Sequence, residues 1–236
     1  MNKFEILFGA KVSEMKKTCI LMPYLHKGLL ADFGIKKISR GKLYGIGQSR
    51  FFTLIHAGIG PTLTGDAVLY LKETGVKNLI LFGSCGLIKE TAGLNIGSLV
   101  SPSKAYNLES FSRMLENKIN FETHPADRNL LKDFLENNKT MVKKVTCATI
   151  GSLKLEEELE SIKGFAEVID MECSAFFAAA GFIKRPAIAL FYVADIVNNK
   201  PFYASLNQKE KNTIFSSTKK SASILSKFIE NGLRYS

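Results

Sequence analysis

Nearly continuous apolar runs alternate along the chain with stretches whose apolar positions recur every three or four residues. Residues 18–22 (TCILM), 78–82 (NLILF) and 186–193 (PAIALFYV) show no polar alternation. That is the pattern of a strand covered on both faces. Shorter extended stretches are predicted at 51–55, 96–100 and 143–150. Between them, 61–73 (PTLTGDAVLYLKE) reads as a helix. Pro61 sits in its first turn, Ala67, Val68 and Leu71 share one face, and Gly75 ends it. Helices are also predicted over 127–138, with Asp127 as N-cap, over 154–163, and over about 208–230. In the last, Ile214, Ala222, Leu225, Phe228 and Ile229 fall at helical spacing. Strands alternating with helices imply an α/β fold, a three-layer αβα sandwich around a mixed, largely parallel sheet.

Composition narrows the partners. The 236 residues are 46% hydrophobic, contain no Pro/Gly/Ser-rich linker and show no internal repeat, so a single domain over 1–236 is expected. The net charge of +10 points at first to a polyanion. Yet only six of the 32 basic residues are arginine, and the lysines lie scattered as singles and pairs with no block of five like charges. A solvated lysine-rich surface accounts for this, and no nucleic-acid partner is expected. The four cysteines, at 19, 85, 147 and 173, form no C-x-x-C pair, so no metal is expected. Their apolar neighbours fit reduced, packed thiols and a cytoplasmic location. The opening MNKFEILFGAK, broken by Glu5, is a poor signal peptide. No run approaches the roughly 18 apolar residues of a membrane span.

In sheets of this class, ligands gather beyond the carboxyl ends of strands. Four strand ends then carry the candidate chemistry: HAGIG (56–60), GSCG (83–86), DME (170–172) and AD (194–195). In GSCG, glycines let backbone amides approach a ligand and Ser84 adds a hydroxyl. A tight turn needs the same glycines. In HAGIGP the glycines 58, 60 and 65 have G-x-G-x-x-x-x-G spacing, not the dinucleotide fingerprint, and the next strand ends in Phe82-Gly83 rather than an acid. A nicotinamide cofactor is therefore not expected, while a small anion or a sugar at that helix start remains open. Asp195, at the rim of an apolar strand, is either a turn residue or a general acid raised by desolvation. Asp170 and Glu172 precede the uncharged run CSAFFAAA. The helix dipole explains one such acid, not two. A carboxylate there accepts two hydrogen bonds from a diol such as ribose, with Met171 as an apolar floor.

The order GIGP, GSCG, DME, then AD resembles the nucleoside phosphorylase family: purine nucleoside phosphorylases, uridine phosphorylases and methylthioadenosine/adenosylhomocysteine nucleosidases. The resemblance spans about residues 18–230. It implies cleavage of a purine-type N-glycosidic bond through an oxocarbenium-like transition state. It implies that Glu172 holds the ribose hydroxyls with Asp170 beside it, that Met171 packs under the sugar, and that Asp195 protonates or hydrogen-bonds N7. Ser84, Gly83, Gly60 and Arg40 then belong to the phosphate or water site, and Cys85, Gly86 and Phe202 to the base. No cofactor is implied beyond inorganic phosphate as a co-substrate. The partner is a small-molecule nucleoside, and a homo-oligomer, dimer or hexamer, is expected.

The chain also departs from the family. Ala194 stands where Ser is common, and Asp170 where Glu is. Leu81 stands where phosphorolytic members carry Arg, and MPYLHKG (22–28) replaces a G-D-P-x-R loop, with Lys27 near its place. Arg40 resembles an arginine that a neighbouring subunit lends to phosphate. A phosphate dianion held by one remote Arg and one serine is poorly neutralised, so water is the favoured acceptor and phosphate the alternative. The acids early enough to activate water are Glu5 and Glu14. Phe202 and Tyr203 read as lining the base or as hydrophobes docking a helix, and His56 as packing. A nucleoside-binding protein that has lost the chemistry is the further alternative.

Overall fold

In the computed structural model, residues 2–88, 93–109, 122–153, 164–197 and 199–233 are described. The helix expected over 154–163, and the Lys27 side chain, lie outside the described residues. In chain order the elements are α1 (Lys3–Phe8), β1 (Thr18–Met22), α2 (Lys27–Asp32), β2 (Ile38–Arg40), β3 (Gly45–Gln48), β4 (Thr53–His56), α3 (Pro61–Tyr70) and β5 (Asn78–Leu87). There follow β6 (Leu99–Leu108), β7 (Thr123–Pro125), α4 (Arg128–Glu136), β8 (Val142–Ile150), β9 (Val168–Asp170), α5 (Cys173–Phe182), β10 (Ala187–Ile196) and α6 (Gln208–Gly232).

The strands form one mixed sheet in the order β10-β6-β8-β9-β5-β1-β4-β3-β2, with β7 beside β6. Its long ladders, β5 on β10 and β6 on β8, are parallel, as are β1 on β4 and β1 on β5. Helices surround the sheet, as an α/β pattern requires. One further pairing shapes the site: β5 pairs with β10 as well as with β9, so half of the sheet curls closed on itself.

Two strands are longer than their apolar runs. β5 continues through GSCG to Leu87, and β10 continues through Asp195 to Ile196. These motifs are therefore not loops after strands but strand residues at irregular places in the ladder. Along one edge of β5, Asn78 to Leu81 pair with β1 and Gly86 to Leu87 pair with β9. Residues 82–85 between them have no strand on that edge among the described residues. On the other edge the β10 register slips between Val193 and Asp195, leaving Ala194 as a bulge. A bulge re-aims the side chain that follows it.

α5 is apolar all round because it is buried all round from Cys173 to Ala180, packed on α3 and against the sheet. Asp127 caps α4 as expected, its side chain accepting the Leu130 N–H at 2.8 Å. All four cysteines are buried and unbridged. No helix among the described residues is long and apolar enough to cross a membrane.

Candidate active site

A cavity opens over the unpaired edge of β5. Its walls are Pro23, Tyr24 and His26 after β1, Ile59 before α3, Gly83 to Gly86 of β5, and Ile169 to Glu172 from β9 into α5. Ile150, Leu153, Asp195 and Phe202 complete it. Three of the four strand-end motifs thus meet in one place. The fourth reaches it through Ile59 and a hydrogen bond from Gly60.

Asp170 and Glu172 do different things. Asp170 is the last residue of β9, and both its oxygens are occupied. Oδ1 accepts the Thr149 hydroxyl at 2.6 Å and the Cys147 thiol at 3.4 Å. Oδ2 accepts the backbone N–H groups of Glu172 at 2.9 Å and Cys173 at 2.6 Å. It satisfies N–H groups that the start of α5 leaves without intrahelical partners. Burial pushes this carboxyl up, and the four hydrogen bonds pull it back. Glu172 is the N-cap residue of α5 but makes no side-chain cap bond. Its carboxylate reaches across the cavity, where Oε1 accepts the Gly60 N–H at 2.6 Å. Gly60 has φ of 109°, a conformation that L side chains avoid, and this conformation sets the direction of that N–H. Burial, then the neighbouring Asp170, pushes Glu172 up.

Asp195 stands apart from this network. Its Oδ2 is buried with no hydrogen-bond partner among the described residues, and burial pushes the carboxyl up to about 6. A desolvated, unpartnered carboxyl holds its proton into the neutral range, as a general acid must. Beneath the cavity a small apolar cluster of Ile88, Ala148, Ile150, Ala166, Ile169 and Val197 supports Met171.

The remaining expectations divide. Gly83, Ser84, Cys85, Gly86, Met171 and Phe202 all line the cavity. Cys85 is a buried thiol pushed well above its ordinary value by desolvation, so it lines and does not attack. Phe202 is 53% and Tyr203 64% exposed, and the two rings meet edge to face. Arg40 lies exposed at the end of edge strand β2 and does not line this cavity. It faces His56, whose pKa is lowered by burial first and by Arg40 second. Neither Glu5, inside α1, nor Glu14, which accepts the Lys11 N–H, reaches the cavity.

His26, Tyr24 and Tyr192 were not marked by the sequence. His26 Nε2 lies 2.7 Å from Tyr192 Oη, and the Ser84 hydroxyl also hydrogen-bonds that phenol. His26 follows β1, so the strand-end rule that picked the other motifs applies to it too. Donor atoms of Cys147, Asp170 and Cys173 lie within 4.8 Å of one another. A metal there would need thiolates, but desolvation raises Cys147 well above its ordinary value and Cys173 to about 11. With Asp170 already saturated, the trio fits a metal poorly and serves as hydrogen-bonded support.

Comparison with known proteins agrees with this architecture. A family model described as the phosphorylase superfamily matches residues 22–230. No curated protein matches the chain. Among solved structures, Campylobacter jejuni 5′-methylthioadenosine/S-adenosylhomocysteine nucleosidase superposes with a TM-score of 0.72 at 20% identity, covering 92% of this chain and 99% of that one. Uridine phosphorylase from Vibrio fischeri gives 0.74 at 19% identity, covering 91% and 92%. AMP nucleosidase from Bacteroides thetaiotaomicron gives 0.72 at 17%, covering 96% and 94%. With four ordered motifs in place and a family match over most of its length, the chain belongs to the phosphorylase superfamily, whose enzymes cleave N-glycosidic bonds.

Proposed function

We propose that this protein hydrolyses the N-glycosidic bond of a purine-type nucleoside, with water as acceptor. The observation that carries the reading is the charge of the cavity lining. It includes the carboxyls of Asp170, Glu172 and Asp195 and, among the described residues, no lysine or arginine. Carboxylates suit a sugar that becomes cationic as the bond breaks. They repel a phosphate dianion, which would need cations of its own. The structural relatives include nucleosidases and a phosphorylase, so the lining is what favours water.

On this reading Glu172 accepts the ribose hydroxyls, Met171 packs under the ring, and Asp170 is a positioning residue that fixes the turn into α5. Asp195 gives its proton to N7 of the leaving purine. Cys85, Gly86 and Phe202 lie on the base side, and Gly83 and Ser84 on the acceptor side. No cofactor is called for. A phosphate role for Arg40 would require a second copy of the chain, within the homo-oligomer expected above.

The test is a chromatographic product assay on adenosine, inosine, uridine, methylthioadenosine and adenosylhomocysteine, each with and without phosphate. Release of free purine without phosphate is the expected outcome. Release only with phosphate, yielding a sugar 1-phosphate, overturns the acceptor. Tight nucleoside binding with no product overturns the chemistry.

A further inference from the structure

Water attacking a glycosidic carbon needs a proton acceptor, and the cavity narrows the choice. Asp170 is held by four donors, and on the reading above Glu172 serves the ribose and Asp195 the base. The remaining ring or carboxyl base lining the cavity, among the described residues, is His26. It stands at the β1 edge of the cavity, and its hydrogen-bond partner bridges to Ser84 on β5.

We infer that His26 is the general base that takes the proton of the attacking water, with Tyr192 as its positioning residue. The inference rests on the hydrolytic reading of the site. Tyr192 of β10 lies opposite Ser84 of β5 in the parallel ladder, and its phenol meets both the Ser84 hydroxyl and His26 Nε2, the latter at 2.7 Å. In the tautomer that the proposal takes, Nε2–H donates to the phenol oxygen and Nδ1 carries the lone pair. Nδ1 has no hydrogen-bond partner among the described residues. The arrangement follows the general logic of a base oriented by a third group.

His26 is also in the right ionisation state. The groups that face it are Tyr24 from its own turn, with ring centroids 4.9 Å apart, and Tyr192 with Ser84 from the sheet. All three carry hydroxyls rather than charges. The carboxyls of Asp170, Glu172 and Asp195 share the cavity. Burial lowers the imidazole from its ordinary 6.5, so at neutral pH it is a free base. A neutral imidazole also cannot serve as the cation that phosphate lacks here.

The step balances. The water oxygen bonds to C1′ while the C1′–N bond breaks, and its electron pair leaves with the purine. One water proton passes to Nδ1 of His26, and the purine receives the proton of Asp195. Exchange with solvent then returns a proton from His26 to Asp195.

The experiment is steady-state base release without phosphate, from pH 5 to 9, for the unaltered protein, His26→Gln, His26→Ala with and without added imidazole, and Tyr192→Phe. His26→Gln is expected to lower kcat by about 10²- to 10³-fold, with KM changed only a few-fold. The part of the acid limb that the imidazole sets disappears with the ring, while the fall that comes from protonating Glu172, pushed up to about 8, remains. Imidazole restores part of the His26→Ala rate. Tyr192→Phe lowers kcat less and displaces the acid limb, a result that loss of packing alone would not give. Full kcat with an intact acid limb in His26→Gln overturns the inference, as does a loss confined to KM, which would make His26 a substrate-binding group. If the unaltered protein releases no base without phosphate, the hydrolytic reading itself fails and the base assignment with it. An active protein whose His26→Gln variant is equally active removes the base alone.

Discussion

Asp195→Asn is expected to stabilise the protein above neutral pH while disabling it. An ordinary aspartate ionises near 3.8, Asp195 near 6, and burial is the cause. The folded protein therefore binds this proton more tightly than the unfolded chain does. Below 3.8 both states carry the proton and the group costs nothing. As pH rises from 3.8 to 6, the unfolded chain loses its proton first and stability falls. Above 6 the full difference opposes folding, about 3 kcal/mol at about 1.4 kcal/mol per pH unit. Asn has nearly the same shape and no ionisation. The stability difference between variant and parent should then grow by about 2 kcal/mol between pH 4.5 and 8. Urea unfolding at several pH values and fixed protein concentration measures it, and an equivalent rise of about 4–8 °C in Tm should accompany it. The buried amide hydrogens of Asn shift the whole curve by a constant and leave its slope alone. A difference that is flat with pH, or that shrinks as pH rises, would refute the claim that Asp195 is an unpaired, desolvated acid. In the same variant kcat should fall by about 10²-fold or more, together with the alkaline limb of the pH profile. Stability bought at the expense of function marks a strained catalytic group.

Other substitutions separate the two acids of DME and probe the frame around them. Glu172→Gln should lower kcat/KM by about 10²-fold, because hydrogen bonds to a charged acceptor contribute about 1.5–3 kcal/mol each. A substrate lacking the 2′-hydroxyl should lose less in the variant than in the parent, a coupling that steady-state kinetics on the four combinations can read. Asp170→Ala should instead act on the fold, costing about 2–4 kcal/mol in urea unfolding, since it strands the N–H groups of Glu172 and Cys173 and the Thr149 hydroxyl without an acceptor. Gly97→Ala should cost about 2 kcal/mol or more by the same measurement. Gly97 has φ of +84°, and an added Cβ would lie 2.3 Å from Thr213 Cγ2 of α6.

The sequence showed the central strands because they are long, apolar and covered on both faces, a pattern that survives without tertiary information. It located Asp127 and Pro61 through capping rules that are equally local, and α6 through apolar positions at helical spacing. It did not show β2, β3 or β7, and it showed β9 only as the strand end before DME. Each is three or four residues long, and β3 carries Gly45 and Gly47, which no propensity argument assigns to a strand. β5 and β10 were cut short at GSCG and Ala194 because glycine and a polar residue read as ends. In the sheet they are a stretch with no neighbour on one edge and a bulge, features that belong to pairing between distant strands. The two acids of DME looked equivalent because sequence spacing does not reveal which one turns into the N-terminus of α5. His26 carried only the weak signal of lying just after β1. Its role depends on Tyr192, 166 residues away.

That distance bears on how the site works. Three carboxyls in one desolvated cavity are mutually unfavourable, and the fold resolves this by treating each differently. Asp170 receives four hydrogen bonds, and its negative charge is spread into the turn that starts α5. Glu172 receives the Gly60 N–H from the far side of the cavity, leaving it able to take up hydroxyl donors from a sugar. Asp195 has an oxygen with no partner among the described residues, and burial alone pushes its carboxyl up to about 6. On the proposed reading, Asp195 supplies the proton for a leaving purine, while Glu172, itself pushed up to about 8 by burial and by Asp170, faces the sugar. An arginine in the lining would collapse this difference by pulling all three carboxyls down together, Asp195 included. On the hydrolytic reading, a lining without lysine or arginine among the described residues belongs to the same arrangement that holds the Asp195 carboxyl up.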